Sequence, residues 1–240
     1  MQEHDLHAMN ENAAMTLIHQ VAFFKDLFTA NPDDYYSLIH HSRIIDFAAN
    51  EVISIKAEQD SCFYGLIKGS VDVFKDESVT PLAISQLSCG QLFGALSVLN
   101  SQPRTATLAA SSPSGATVIV TDYSYAGKAE DFSCISLLAK IKLFRNVVNN
   151  IKWKLQVYKN QTDDPTLAQE LTLFPPFIGT KDTLEELRYL VTQCQDLTDL
   201  LAAWNDVIDP DVPIVLADDT KTLKRVFSFL KKKPSQSINH

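Results

Sequence analysis

The alternation of apolar and polar positions divides the chain into a helical start, a β-rich middle and a helical remainder. Apolar residues recur at helical spacing between Leu17 and Leu27. Asn31-Pro32 is typical of a helix cap followed by proline at the first helical position. Residues 1–16 are mostly polar, and we expect them to form a tail without regular structure.

The middle of the chain, from Ile44 to Tyr125, consists of short runs in which apolar and polar residues alternate. Half-buried antiparallel strands produce this alternation, and many short strands at close spacing indicate a barrel or a sandwich. Gly69 and Gly90 lie between runs, at predicted turns. The predicted strands are Glu51–Lys56, Phe63–Lys68, Ser70–Lys75, Leu82–Leu87, Thr105–Ala109 and Ala116–Thr121.

A long helix is predicted after the strands, because residues 131–159 contain neither proline nor glycine. Their apolar residues follow one another at steps of three and four, which is a heptad seam. The seam residues are Cys134, Leu137, Ile141, Phe144, Val148, Ile151, Leu155 and Tyr158. A helix lying on its own sheet also needs an apolar stripe, so both uses of the seam stay open. We expect a homodimer formed through the helix at 132–160.

The charges of the long helix and of the segment after it are opposite. Residues 132–160 carry six basic residues and no acidic one, whereas residues 161–219 carry 13 acidic residues against Lys181 and Arg188. We therefore expect the acidic segment to pack beside the basic helix. Asp182 with Glu185 resembles a capping box, and residues 161–240 are mainly helical in pattern.

The segment between two of the predicted strands has the features of a phosphate site. Gly94 allows a close approach of the backbone, and residues 95–99 could form a short helix whose first N–H groups face an anion. Arg104 closes the same loop, and its guanidinium could donate two hydrogen bonds to a phosphate. A surface ion pair is the alternative use of Arg104.

The stretch Phe93-Gly94-Ala95-Leu96, followed by Pro103-Arg104-Thr105-Ala106-Thr107, resembles the phosphate-binding cassette of cyclic-nucleotide-binding domains. That family includes the regulatory subunits of cyclic-AMP-dependent protein kinase and the catabolite activator protein. Residues 23–27 are similar to the family's opening helix, and residues 64–73 to its strand–glycine–strand element.

The resemblance implies an α+β fold with a double-stranded β-helix, or jelly roll, and flanking helices. The β-roll would span residues 17–125, and a long dimerisation or lid helix would span 126–160. A smaller, mainly helical C-terminal domain of unassigned role would follow at 161–240.

The resemblance also assigns the binding of a regulatory ligand, cyclic AMP or cyclic GMP, to Gly94, Ala95, Leu96, Arg104 and Thr105. In the family a glutamate usually stands where this chain has Ala95, and it bonds the ribose 2′-hydroxyl. Its loss would weaken binding by roughly ten- to a hundredfold. Thr105 resembles family members that accept cyclic GMP. Weak binding, a different ligand and a module without a ligand all remain open.

Nothing in the sequence identifies a catalytic residue, a cofactor or a metal site. The four cysteines form no CxxC pair, and His40-His41 have no spaced partner for zinc. Asp218-Asp219 suit a helix cap better than a magnesium pair. No run approaches the ~20 apolar residues of a membrane span, and the start lacks the features of a secretion signal. These features predict a cytoplasmic protein that is not an enzyme.

Three interpretations of the function follow. The first is a regulatory or sensor protein of the cyclic-nucleotide-binding type. The second is a transcription regulator of the catabolite activator type with a diverged DNA-binding domain. A net charge of −8 and an acidic pattern at 184–201 argue against DNA binding, although basic residues gather at 221–233. The third is a ligand-free protein-interaction module.

Overall fold

The computed structural model describes residues 1–4, 6, 9–79, 83–111, 113–162 and 165–207. In these ranges the strands are β1 (Gln2–His4), β2 (Ser42–Phe47), β3 (Val52–Ser54), β4 (Cys62–Phe74), β5 (Ser85–Ser88), β6 (Leu92–Phe93), β7 (Thr107–Ala110) and β8 (Ala116–Asp122). The helices are α1 (Glu11–Ile18), α2 (Ala22–Ala30), α3 (Pro32–His40), α4 (Ala95–Asn100), α5 (Leu137–Thr162), α6 (Pro165–Thr172) and α7 (Leu184–Val207), with a single 3₁₀ turn at Ser124–Ala126.

The strands form one curled antiparallel sheet in the order β1-β2-β8-β4-β7-β3, and β5 and β6 also pair with β4. The first half of β4 pairs with β8 and β6, and its second half pairs with β7 and β5. The ladder shifts register between Leu66 and Lys68. Gly69 follows with φ +81°, and a Cβ there would lie 2.1 Å from the Gly115 carbonyl oxygen. The predicted turn at Gly69 is therefore a bend within one continuous strand.

Alternate residues of β4 enter two different cores. Tyr64 and Leu66 point into the β-roll, whereas Phe63 and Ile67 pack among the helices. This period of two is the geometry of a strand with both faces covered. The predicted α+β fold, a β-roll with flanking helices and a long helix after it, is confirmed.

The N-terminal residues differ from the prediction of a tail without regular structure at 1–16. Gln2–His4 pairs with β2, and α1 begins at Glu11, where the Asn10 side chain caps it. The edge of β2 offers unpaired backbone groups, and three polar residues can satisfy them without entering a core. The cap predicted at Asn31 is confirmed, because its side chain accepts from the Asp33 amide at 3.2 Å.

The long helix predicted after the strands is α5, but its apolar seam is covered within the chain. Six seam residues are at most 5% exposed: Ile141, Phe144, Val148, Ile151, Leu155 and Tyr158. They share one apolar core with residues of α2 and α7. Most of the seam is therefore covered within one chain, which is the alternative use that the sequence left open, and the homodimer through 132–160 stays a prediction.

The prediction that the acidic segment packs beside the basic helix is confirmed for α7. Arg145 of α5 donates from Nη2 to Glu186 at 2.6 Å and to Asp182 at 3.0 Å. The cap of α7 is shifted by one residue from the predicted pair, since Thr183 accepts from the Glu186 amide. Residues of α6 and α7 share one apolar core with α5.

None of the helices in the described ranges has the length and apolar character that crossing a membrane requires. Within the same ranges, His, Cys, Asp and Glu side chains do not gather in threes that could hold a metal ion. The pair Asp218-Asp219 and the basic residues at 221–233 lie outside the described residues.

Candidate ligand-binding site

A cavity of about 170 Å³ lies between the β-roll, α4 and α5. All five residues to which the resemblance assigns ligand binding line it: Gly94, Ala95, Leu96, Arg104 and Thr105. The sequence therefore identified a set of residues that the fold brings together at one cavity. Among the described residues, none that lines the cavity is acidic.

Gly94 joins β6 to α4 in a conformation that other residues rarely adopt. Its φ is +71°, and a Cβ there would lie 2.7 Å from the Tyr64 ring and 2.8 Å from Nη1 of Arg104. Glycine permits both the left-handed backbone and the close approach of the guanidinium. The position of Arg104 thus depends on the missing side chain of residue 94.

The Arg104 guanidinium is buried, with 4% of the residue exposed. Nη1 donates to the Gly94 carbonyl at 2.6 Å, and Nη2 donates to Asp60 and to the Cys62 carbonyl, both at 2.5 Å. Its Cζ lies 5.1 Å from the centroid of the Tyr64 ring. Arg104 therefore pairs with a carboxylate, as the alternative for it expected, although its guanidinium is buried and Asp60 is partly exposed. Its buried Nε has no hydrogen-bond partner in the described part of the chain.

Asp60 holds Arg104 from a position that does not line the cavity. Its carboxylate accepts from the Tyr64 hydroxyl at 2.6 Å and from the Cys62 amide at 2.8 Å. Burial by itself would raise the pKa of Asp60, but the hydrogen bonds from Tyr64, Arg104 and Cys62 lower the pKa to about 2. Asp60 is therefore ionised at neutral pH and offsets the charge of Arg104.

The position of the family glutamate is occupied by a methyl group. Ala95 is 2% exposed and lines the cavity beside Leu96 and the half-buried Thr105. In the part of the chain that the structure describes, no carboxylate lines the cavity in place of that glutamate. Contact with a ribose hydroxyl would have to come from polar groups such as Ser97 or Gln91.

The outer wall of the cavity belongs to two helices. α5 contributes Val147, Asn150, Ile151, Trp153 and Lys154, and α7 contributes Leu201. The lid position of α5 was one of the two alternatives that the sequence left open. No pattern in the sequence indicated that Leu201 of α7 would line the cavity.

A hydrogen bond connects α7 directly to the cassette helix. Asn100, the last residue of α4, donates from Nδ2 to the hydroxyl of Thr198 at 2.8 Å. The Thr198 hydroxyl in turn donates to the Cys194 carbonyl within α7. These hydrogen bonds link α4 to α7 without passing through α5.

Residues 44–123 match the family model of the cyclic nucleotide-binding domain. A comparison with curated proteins gives no match. Among solved structures, the chain is similar to the regulatory domain of Toxoplasma gondii PKA with cAMP (21% identity, 49% of this chain and 46% of that one, TM-score 0.38). It is also similar to cAMP-bound PfPKA-R (23% identity, 60% and 46%, TM-score 0.45).

A third similar structure is the regulatory subunit of a cAMP-independent protein kinase A from Trypanosoma brucei (18% identity, 46% of this chain and 39% of that one, TM-score 0.38). The chain thus aligns with less than half of the length of each of these structures. At such low identity, the ligand has to be argued from the residues of the cavity. The segment 44–123, which carries Gly94, Ala95, Leu96, Arg104 and Thr105, is a cyclic-nucleotide-binding domain.

Proposed function

We propose that the chain is a regulatory sensor that binds the phosphate of a cyclic nucleotide in the cavity, with Arg104 as the anion contact. The observation that carries the proposal is the state of that side chain. Its guanidinium is buried and fixed by Gly94, Asp60 and Cys62, yet its Nε has no hydrogen-bond partner in the described residues. A buried donor without an acceptor costs free energy, which a phosphate oxygen would recover.

The cavity is small for a ligand of this size. Its volume of about 170 Å³ lies below the range of roughly 300–1,000 Å³ that is usual for small-molecule pockets. Trp153 of α5 and Leu201 of α7 line the side that would have to move outward. Binding would therefore favour a conformation in which both helices are displaced, and this population shift is the proposed signal.

We expect the site to bind the ribose weakly. Without the carboxylate of the family glutamate, a cyclic nucleotide loses one charge-assisted hydrogen bond, worth about 1.5–3 kcal/mol. We propose that cyclic AMP and cyclic GMP bind with reduced affinity, Thr105 favouring cyclic GMP through its hydroxyl. This function involves no chemical reaction of the ligand.

The test is titration calorimetry of the chain with cyclic AMP and cyclic GMP, comparing wild type with Arg104→Lys. Lysine keeps the charge but loses the planar fork, so we expect affinity to fall by roughly ten- to a hundredfold. Arg43→Lys is the matched control, because Arg43 is exposed on β2 and does not line the cavity. Thermal unfolding of each variant verifies that the fold is intact.

Two outcomes would contradict the proposal. If neither nucleotide binds the wild type, the β-roll is a structural module for protein interactions. If Arg104→Lys and Arg43→Lys bind alike, the ligand occupies another part of the chain.

A further inference from the structure

Lys154 is a second cation on the wall of the cavity, and it comes from the helix side. It lies on α5, whereas Arg104 comes from the β-roll. The charge of Arg104 is already offset by Asp60, which binds it at 2.5 Å. Because no described residue that lines the cavity is acidic, Lys154 is, among the described residues of the wall, the cation whose charge is not offset.

Two other lysines of α5 have hydrogen-bond partners that Lys154 lacks among the described residues. Nζ of Lys140 donates to the Ala126 carbonyl at 2.8 Å, and Nζ of Lys152 donates to the Phe174 carbonyl and to Gln193. Lys154 makes no hydrogen bond or ion pair with any described residue, and its Nζ lies 5.6 Å from the centroid of the Tyr158 ring. The face of an aromatic ring is a weak partner for an ammonium group.

Burial makes this charge unfavourable until an anion arrives. Lys154 is only partly exposed, and burial lowers its pKa to about 8. An anion bound beside it would favour the charged form and raise that pKa again. Among the described residues, Arg104 also lines the cavity, and Tyr158 lies beside the ammonium, with its pKa raised by burial.

We propose that Lys154 is a ligand-binding residue that supplies the uncompensated positive charge for an anionic phosphate ester and so makes the cavity select charged over neutral ligands. This inference rests on the proposed binding at Arg104. It adds that the ligand is held from both walls, by a fixed guanidinium on the roll and by an ammonium on the lid helix. A neutral nucleoside would leave the buried ammonium without a partner.

The experiment measures binding of cyclic AMP and of neutral adenosine to the wild-type chain, to Lys154→Met and to Lys154→Arg. Methionine keeps the apolar stem but removes the charge, so we expect cyclic AMP affinity to fall by roughly ten- to a hundredfold. Adenosine binding should be no weaker in Lys154→Met. Lys142→Met is the matched control, because Lys142 lies on the same helix and does not line the cavity.

A pH profile separates this role from a structural one. Between pH 7 and pH 9 the wild-type affinity for cyclic AMP should fall by about tenfold, because the ammonium loses its proton. Lys154→Arg should restore binding and give a flat profile, since an arginine does not titrate in this range.

The outcomes separate this inference from the proposed function. If Lys154→Met binds cyclic AMP as the wild type does while Arg104→Lys binds weakly, the proposed function stands and Lys154 has no part in it. Equal losses for cyclic AMP and adenosine would also overturn the charge role. If the wild type binds no cyclic AMP, the proposed function fails, and this inference fails with it.

Discussion

Arg104 is positioned before any ligand arrives, and two of the residues that position it, Asp60 and Cys62, do not line the cavity. Asp60 and the Cys62 carbonyl hold one end of the guanidinium, and the Gly94 carbonyl holds the other. Since these contacts exist in the free protein, binding a phosphate would not require ordering a long side chain. Such preorganisation lowers the entropic cost of binding.

The residue at the place of the family glutamate offers a gain-of-function test. Ala95→Glu would add a carboxylate to the cavity wall, and we expect roughly ten- to a hundredfold tighter binding of cyclic AMP. The isosteric Ala95→Gln should gain much less, because an amide oxygen is a weaker acceptor than a carboxylate. Calorimetry with cyclic AMP and its 2′-deoxy analogue measures both effects. An equal gain with the deoxy analogue would show that the carboxylate does not contact the ribose.

The five residues to which the sequence analysis assigned ligand binding lie in one short segment. Gly94, Ala95, Leu96, Arg104 and Thr105 fall within a single strand–loop–strand stretch, so their spacing alone brings them together. Asp60 lies 44 residues from its partner Arg104. In the sequence, Lys154 is only one of the six basic residues at 132–160, and no pattern indicated its place at the cavity. The sheet sets the position of Asp60 beside Arg104, and the packing of α5 sets the position of Lys154 at the cavity; local patterns contain neither.

At the scale of elements, α4 and α7 are joined by the Asn100–Thr198 hydrogen bond, and Leu201 of α7 lines the cavity. The helix that follows the β-roll in the sequence is therefore not the only one that can respond to a ligand. Arg145 of α5 forms ion pairs with Asp182, just before α7, and with Glu186 of α7. We therefore expect the two helices to move together.

Thr198→Val tests the direct connection between α4 and α7. Valine is nearly isosteric with threonine but removes the acceptor, and the lost hydrogen bond should cost about 1 kcal/mol of stability. We expect cyclic AMP to change hydrogen exchange in α7 of the wild type and to change it much less in the variant. Thr192→Val is the control, because that exposed hydroxyl bonds only within α7. Equal responses of the two variants would mean that the signal travels by another route.

Some sequence patterns were sufficient to predict a helix or strand, whereas others were ambiguous. α5 was predictable because 26 helical residues without proline or glycine leave few alternatives. The surface that covers the apolar seam of α5 was not predictable, because a heptad pattern can pack against a neighbouring helix of the same chain or against a second copy of the chain. β1 was missed because three polar residues carry no alternation that a pattern could reveal.

At the scale of the whole molecule, one apolar core runs from α1 and α2 through α5 to α7. The seam of α5 is part of this core, so folding of one chain suffices to bury it. We therefore expect the midpoint of thermal unfolding to stay unchanged over a hundredfold range of protein concentration. Calorimetric scans at each concentration measure it. A midpoint that rises with concentration would show that folding is linked to association.

The two buried faces of β4 have a practical consequence. The side chains of Phe63 and Ile67 point away from the interior of the roll, and the helices before and after the strands cover them. A fragment cut to the boundaries of the family match, 44–123, would turn this phenylalanine and isoleucine face toward water. Exposed apolar sheet of this kind promotes aggregation, so the roll has to be produced and studied together with the helices that shelter it.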